Sequence, residues 1–186
     1  MGRLRVHTIG HSTREIGAFI EVLRAHGVGQ VVDVRRFAGS RANPQFGQEA
    51  LREALAEAGL AYRRIEGLGG RRPARRPSSA NAGWRNAGFR GYADHMQTEE
   101  FAAGLADLIE AAERVPTAIM CAEAVPWRCH RSLIGDALLV RGIDVVDVID
   151  GRKSTEHRLT SFARVDGHRV TYPADPADQA DPTDPT

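Results

Sequence analysis

The sequence predicts a single α/β domain on a mostly parallel sheet of about five strands. Two observations carry this. Short apolar runs bounded by glycine or charge alternate with segments whose apolar residues recur at helical spacing. Parallel strands need such crossovers, and right-handed crossovers wind helices onto both faces, giving a doubly wound, Rossmann-like sheet. The length agrees, since 186 residues suffice for one full-sized core.

Arg5-Val-His-Thr-Ile9 reads as the first strand, ending at Gly10-His11-Ser12. Ser12-Thr-Arg-Glu15 has capping-box spacing, and Ile16, Phe19, Ile20 and Leu23 predict a helix to about His26-Gly27. Gln30-Val-Val-Asp-Val34 is a second buried strand, ending in Arg35-Arg36. Beyond a polar loop through Pro44, Leu51 and Leu55 mark a helix over 48–58, and Leu60 to Ile65 forms a third strand. Residues 66–95, with two prolines and six glycines, read as an irregular Arg-rich insertion. Thr98-Glu-Glu caps a helix carrying Phe101, Leu105, Leu108 and Ile109. Pro116 to Met120 is a fourth strand, Cys121 to Arg131 a polar turn, and Ser132 to Val140 a helix stopped by Gly142. Asp144 to Ile149 is the last strand expected.

The domain is expected over residues 1–172. The remainder, 173–186, contains only Pro, Asp, Ala, Thr and Gln; it has no large apolar side chain and reads as disordered. Without that tail's four aspartates the net charge rises from +1 to about +5. No apolar run approaches the roughly 20 residues of a membrane span. Two cysteines and no signal-peptide pattern point to reduced thiols in the cytoplasm. Arginine outnumbers lysine 24 to 1, a compositional bias that lowers the weight of any single arginine.

The most informative segment is Cys121-Ala-Glu-Ala-Val-Pro-Trp-Arg-Cys-His-Arg131, which places two thiols, a carboxylate, an imidazole and two guanidinium groups between a strand and a helix. A helix N-terminus favours anions and thiolates, and Cys129 and His130 are expected in its first turn. Six residues separate Cys121 from Arg128, one more than in the phosphatase loop that cradles phosphate, and the Pro-Cys-x-x-Cys of zinc deaminases is missing. A strand order of 3-2-1-4-5 would bring Gly10-His11-Ser12 and the Cys121 turn into one crevice, with Asp33 and Arg35 at its side.

Gly10-His11-Ser12, Asp33-Val-Arg35, Leu68-Gly-Gly70, Gly91-Tyr92, Cys121-Ala-Glu123 and Cys129-His-Arg131 occur in one order over residues 5–150. As a set they resemble the domain-of-unknown-function family 488 (DUF 488). The resemblance assigns no reaction and implies a role in nucleotide or nucleic-acid metabolism. A histidine-isoleucine pair at the end of the last strand belongs to the family pattern, and Asp147-Val-Ile149 departs from it.

The expectation is an enzyme acting on an anionic substrate, a small molecule or a nucleic-acid group, at the carboxyl edge of the sheet. Cys121, Glu123, His130, His11 and Asp33 are the expected chemical groups; Ser12, Arg35, Cys129, Arg131 and Tyr92 are expected to bind substrate. Two alternatives stand beside it. Cys121, Cys129, His130 and His11 form a mixed thiolate–imidazole set suited to zinc or iron. Residues 63–92, with eight arginines, one acid and Trp84, Phe89 and Tyr92 interleaved, suit a non-catalytic nucleic-acid-binding module.

Overall fold

The computed structural model describes residues 2–73 and 80–175. Strands β1 (Arg5–Gly10), β2 (Gln30–Asp33), β3 (Ala61–Arg64), β4 (Thr117–Cys121) and β5 (Asp144–Val148) run parallel. Their crossovers are α1 (Ile16–Ala25), α2 (Gln48–Glu57), α3 (Ala87–His95) with α4 (Glu99–Arg114), and α5 (Arg131–Leu139). A sixth strand, β6 (Ser154–Glu156), adds antiparallel to β5, giving the order β3-β2-β4-β1-β5-β6. The sheet is thus mostly parallel and Rossmann-like, and the chain forms one α/β domain.

That order differs from the expected 3-2-1-4-5, because β4 lies between β2 and β1. The reason is burial. All five residues of β4 are buried, which only a central strand with both faces covered allows, whereas β3 alternates exposed with half-buried positions as an edge does. The pleat then divides the apolar side chains between two cores. Val31, Ala118, Met120 and Ile9 face Phe19, Leu23, Leu51 and Leu55 of α1 and α2. Val6, Val32, Ile119 and Cys121 face Tyr92, Leu105, Leu108 and Leu133 of α3, α4 and α5.

Three local expectations need correction. Ser12 does not cap α1: it adopts φ 51, and Glu15 precedes the helix without a side-chain cap bond. Residues 66–95 are not irregular throughout. The Asn86 side chain accepts from Gly88 N and Phe89 N to start α3, and burial of Tyr92, Ala93 and His95 holds a helix that Gly88 and Gly91 alone disfavour. The chain also continues past Ile149 into β6 and a hairpin, β7 (Arg164–Asp166) and β8 (Arg169–Thr171). Val170 and Tyr172 of this extension are core residues. Arg75, Arg76 and residues 176–186 lie outside the described residues. Among the described residues no helix is long and apolar enough to cross a membrane.

His157 ties the extension to the sheet. Its Nδ1 donates to Asp147 (2.9 Å) and its Nε2 to Asp136 (3.1 Å), whose other oxygen accepts from the Tyr172 hydroxyl (2.7 Å). Burial opposes charge on His157, but the hydrogen bonds to Asp136 and then Asp147 outweigh it and lift its pKa to about 9. The folded value lies above the unfolded one, near 6.5, so this stabilisation is complete below pH 6.5 and is lost as pH rises through 9. The melting temperature should fall over that window, by the equivalent of about 3 kcal/mol at most. Replacing His157 with glutamine should lower stability at pH 6 and flatten the slope. A wild-type profile without this fall would show that His157 does not hold its proton in the fold.

Candidate functional site at the carboxyl edge of the sheet

Adjacent strands whose following loops turn to opposite faces leave a crevice at their carboxyl ends. Here β2 leads toward α2 on one face and β4 toward α5 on the other. A cavity of about 440 Å³ opens above them, lined by Arg35, Arg36, Phe37, Glu123, Arg128 and His130, with Cys121, Cys129, Phe89 and Tyr92 in its wall. The β1–β4 junction also switches direction, but backbone seals it. His11 N donates to Cys121 O (2.9 Å) and Ser12 N to Ala122 O (3.0 Å). The Glu123 carbonyl lies so close over Gly10 that a Cβ there would sit 1.7 Å from its oxygen. Only glycine fits, and the opening is displaced toward β2.

Beneath the cavity lies Arg131, whose residue is 0% exposed. Its Nε donates to Cys129 Sγ (3.4 Å), its Nη1 to Thr8 Oγ1 (3.4 Å) and its Nη2 to Glu123 O (2.7 Å), which also accepts from Cys121 Sγ (3.9 Å). No carboxylate is among these partners, and a buried guanidinium requires a counter-charge. Cys129 supplies it. Burial works against a thiolate there, but a hydrogen bond from Cys121, the charge and hydrogen bond of His130 and the charge of Arg131 carry its pKa well below that of an ordinary thiol. Burial, followed by the bond to Cys129, pushes the Cys121 thiol well up. The two sulfurs are thus driven in opposite directions, Cys129 toward the thiolate and Cys121, whose Sγ donates to Glu123 O (3.9 Å), toward the thiol; both are free of disulfide.

His130 completes the group. Its Nε2 bonds the Val34 carbonyl (2.8 Å), which can only accept, so Nε2 carries a hydrogen and Nδ1 is the nitrogen facing Cys129 Sγ (3.5 Å). Tyr92 packs on the ring at 4.9 Å, and Gly70 approaches so near that a Cβ would lie 2.6 Å from Nδ1. The Tyr92 hydroxyl donates to Leu68 O (2.8 Å), and burial raises its pKa.

Asp33 and Arg35 form a second buried group on the α1–α2 side. Arg35 donates from Nε (2.9 Å) and Nη2 (2.6 Å) to the Asp33 carboxylate, which also accepts from Arg35 N and the Tyr62 hydroxyl. Arg35 Nη1 donates to Phe46 O (2.8 Å) and to His11 Nε2 (3.4 Å). His11 stacks on Phe46 at 4.2 Å and donates from Nδ1 to Ser12 O (2.8 Å); burial, the largest influence, lowers its pKa and keeps it neutral.

The structure thus brings Cys121, Cys129, Glu123, His130, Arg35 and Tyr92 to the cavity. Arg131, Asp33 and His11 stand behind this wall, and Ser12 is apart from it, in the sealed β1–β4 junction. Cys129 and His130 precede α5 rather than entering its first turn, because a one-turn 3-10 helix at Pro126–Arg128 delays it. The Glu123 carbonyl, not its carboxylate, meets Arg131; the side chain is exposed. Sequence reasoning gave no role to Arg36, Phe37 and Arg128 at the cavity, although Arg36-Phe37 directly follow a strand end. It also missed Thr8 and Asp147, whose signal was polarity at inward positions of apolar strands. Thr8 Oγ1 donates to Asp147 (2.7 Å) and so links Arg131 to His157.

The metal set does not assemble. Both His11 nitrogens are engaged elsewhere, and among the described residues no group of three or more His, Cys, Asp or Glu could hold an ion. Of the aromatic residues of 63–92, Trp84 and Tyr92 are committed internally, and Phe89 keeps one face to the Trp84 ring while lining the cavity. Trp84 stacks on Phe89 (4.7 Å) and packs edge-on to Phe162 (4.9 Å), and Tyr92 is buried. Arg64 pairs with Glu66 and Arg72 with Glu100, while Arg71 is exposed beside the cavity.

Iodoacetamide should therefore label Cys129 before Cys121, with a pH midpoint below the roughly 8.5 of a free thiol. Replacing Arg131 with methionine should move that midpoint upward. Equal labelling of the two sulfurs, read by peptide mass, would refute the thiolate assignment.

A family model described as domain of unknown function DUF488 matches residues 15–138, a span that contains every residue lining the cavity. No curated protein and no solved structure matches the chain. The chain belongs to the DUF488 family.

Proposed function

We propose that the protein is an enzyme whose Cys129 thiolate attacks an anionic substrate held at the carboxyl edge of the sheet. One observation carries this reading: a thiol between His130 and a buried Arg131 opens onto a cavity whose exposed side chains include Arg36, Arg71 and Arg128. A structural cysteine needs neither a buried guanidinium nor an imidazole, whereas an activated nucleophile needs both a lowered pKa and a proton carrier.

The roles follow from position. Cys129 forms the bond to the substrate. His130 Nδ1 carries the proton exchanged with the sulfur and the leaving group. Cys121 and Arg131 hold the thiolate, and the exposed Glu123 carboxylate is available to activate water. Arg35, anchored by Asp33 and His11, is a positioning residue for the loop that bears Arg36 and Phe37. Phe37 and Phe89 add flat apolar surfaces, and a volume of about 440 Å³ suits a small molecule. Together these features favour a nucleotide over a bare inorganic anion.

Nucleoside monophosphates at millimolar concentration should slow alkylation of Cys129, and Arg36→Ala or Arg128→Ala should weaken that protection about tenfold each. Alkylation unaffected by any nucleotide would overturn the substrate class. Salt-sensitive binding of single-stranded oligonucleotide, with Cys129→Ala as tight as wild type, would favour the non-catalytic nucleic-acid module instead.

A further inference from the structure

We propose that Cys129 is a site of oxidation by hydroperoxides and that Cys121 is its resolving thiol. The inference rests on the same reading of Cys129 as a thiolate open to the cavity, and extends it to Cys121. The geometry is specific. Two sulfurs from opposite ends of one strand-to-helix turn converge on Arg131: Cys129 Sγ accepts from its Nε (3.4 Å), and Cys121 Sγ donates to the Glu123 carbonyl (3.9 Å) that its Nη2 also bonds (2.7 Å); both border the cavity through which a small oxidant can reach them. A packing role would be met by one buried cysteine. Two that converge on one buried cation and border one cavity are placed to exchange electrons.

The chemistry balances in two steps. The Cys129 sulfur attacks the distal oxygen of a hydroperoxide; an S–O bond forms, the O–O bond breaks, and the departing alkoxide takes a proton, from His130 Nδ1 or water, to leave as an alcohol. Cys121 sulfur then attacks Cys129 sulfur. An S–S bond forms, the S–O bond breaks, and the Cys121 proton leaves with the hydroxide as water. The two cysteines lose two electrons in all and the peroxide gains them. The turn between them has only one 3-10 turn of regular structure, at Pro126–Arg128, and it is the part that moves to bring the sulfurs to about 2.05 Å. Oxidation also removes the negative charge that balances Arg131. The disulfide state therefore leaves a buried guanidinium without its counter-ion, favours return to the dithiol when a reducing dithiol is supplied, and has no nucleophile while it lasts.

The full chain, reduced and then treated with hydrogen peroxide near neutral pH, tests this by peptide mass. Cleavage after Arg128 separates the two cysteines. The expected product is a disulfide joining the two peptides, reversed by dithiothreitol, with alkylation of Cys129 lost and regained in step. In Cys121→Ser the oxidised sulfur should instead be trapped by dimedone and pass to sulfinic acid, at least about fivefold more than in wild type. Wild-type protein that goes directly to sulfinic acid at Cys129, or gives no linked peptide, would overturn the proposal. This wild-type result stands even if Cys121→Ser fails to fold. Normal alkylation of Cys129 without a disulfide would sink this inference alone, because no substrate enters the assay; loss of nucleotide protection would sink only the substrate reading.

Discussion

Arg131 is the constraint from which the site can be derived. Its guanidinium is removed from water at the head of α5, and no carboxylate touches it. Burial of an unbalanced charge costs several kcal/mol, so the surrounding sequence must answer it. The answer is distributed. The Cys129 sulfur stands at Nε, a backbone carbonyl at Nη2, and at Nη1 a hydroxyl that passes polarity to Asp147. Each partner is then constrained in turn. The Glu123 carbonyl must come down over β1, which makes residue 10 a glycine, and His130 must turn Nδ1 to the sulfur while Val34 holds Nε2.

Elements with strong periodicity were legible. The apolar residues of α1, α2 and α4 recur at helical spacing, and the strands end where glycine or charge interrupts an apolar run. Strand order was less so, because periodicity says which residues are buried and not which neighbours bury them. The complete burial of β4 implied a central position, but only pairing with both β1 and β2 reveals it. Helix α3 was hidden by Gly88 and Gly91; packing of Tyr92 and His95 against the 66–70 segment overrides their low propensity. The hairpin at 164–171 was hidden because most of its residues are exposed and only Val170 is fully packed.

Within the site, residue types were more legible than roles. The crowded turn from Cys121 to Arg131 marked its own importance. Which sulfur is the more acidic could not be read from spacing, because it depends on Arg131 Nε and His130 Nδ1 lying next to Cys129, while the Cys121 thiol donates to the Glu123 carbonyl. Asp33 was expected to do chemistry and Arg35 to bind substrate; instead both carboxylate oxygens are consumed by Arg35 and Tyr62. His11 and Ser12 stood adjacent in the chain to the right crevice; the carbonyl of Glu123 separates them from it in space.

The polar chain from Cys129 through Arg131, Thr8, Asp147 and His157 to Asp136 and Tyr172 crosses a boundary that alignment alone would draw elsewhere. The family match ends at residue 138, yet this chain of contacts ends at Tyr172. The imidazolium contributed by the extension partly neutralises Asp147, and so governs how much of that carboxylate's field is left to draw on Arg131. Residues past the family match are thus joined by side-chain contacts to the arginine that holds the sulfur. A change in this extension can therefore reach Arg131 without altering one atom of the cavity wall.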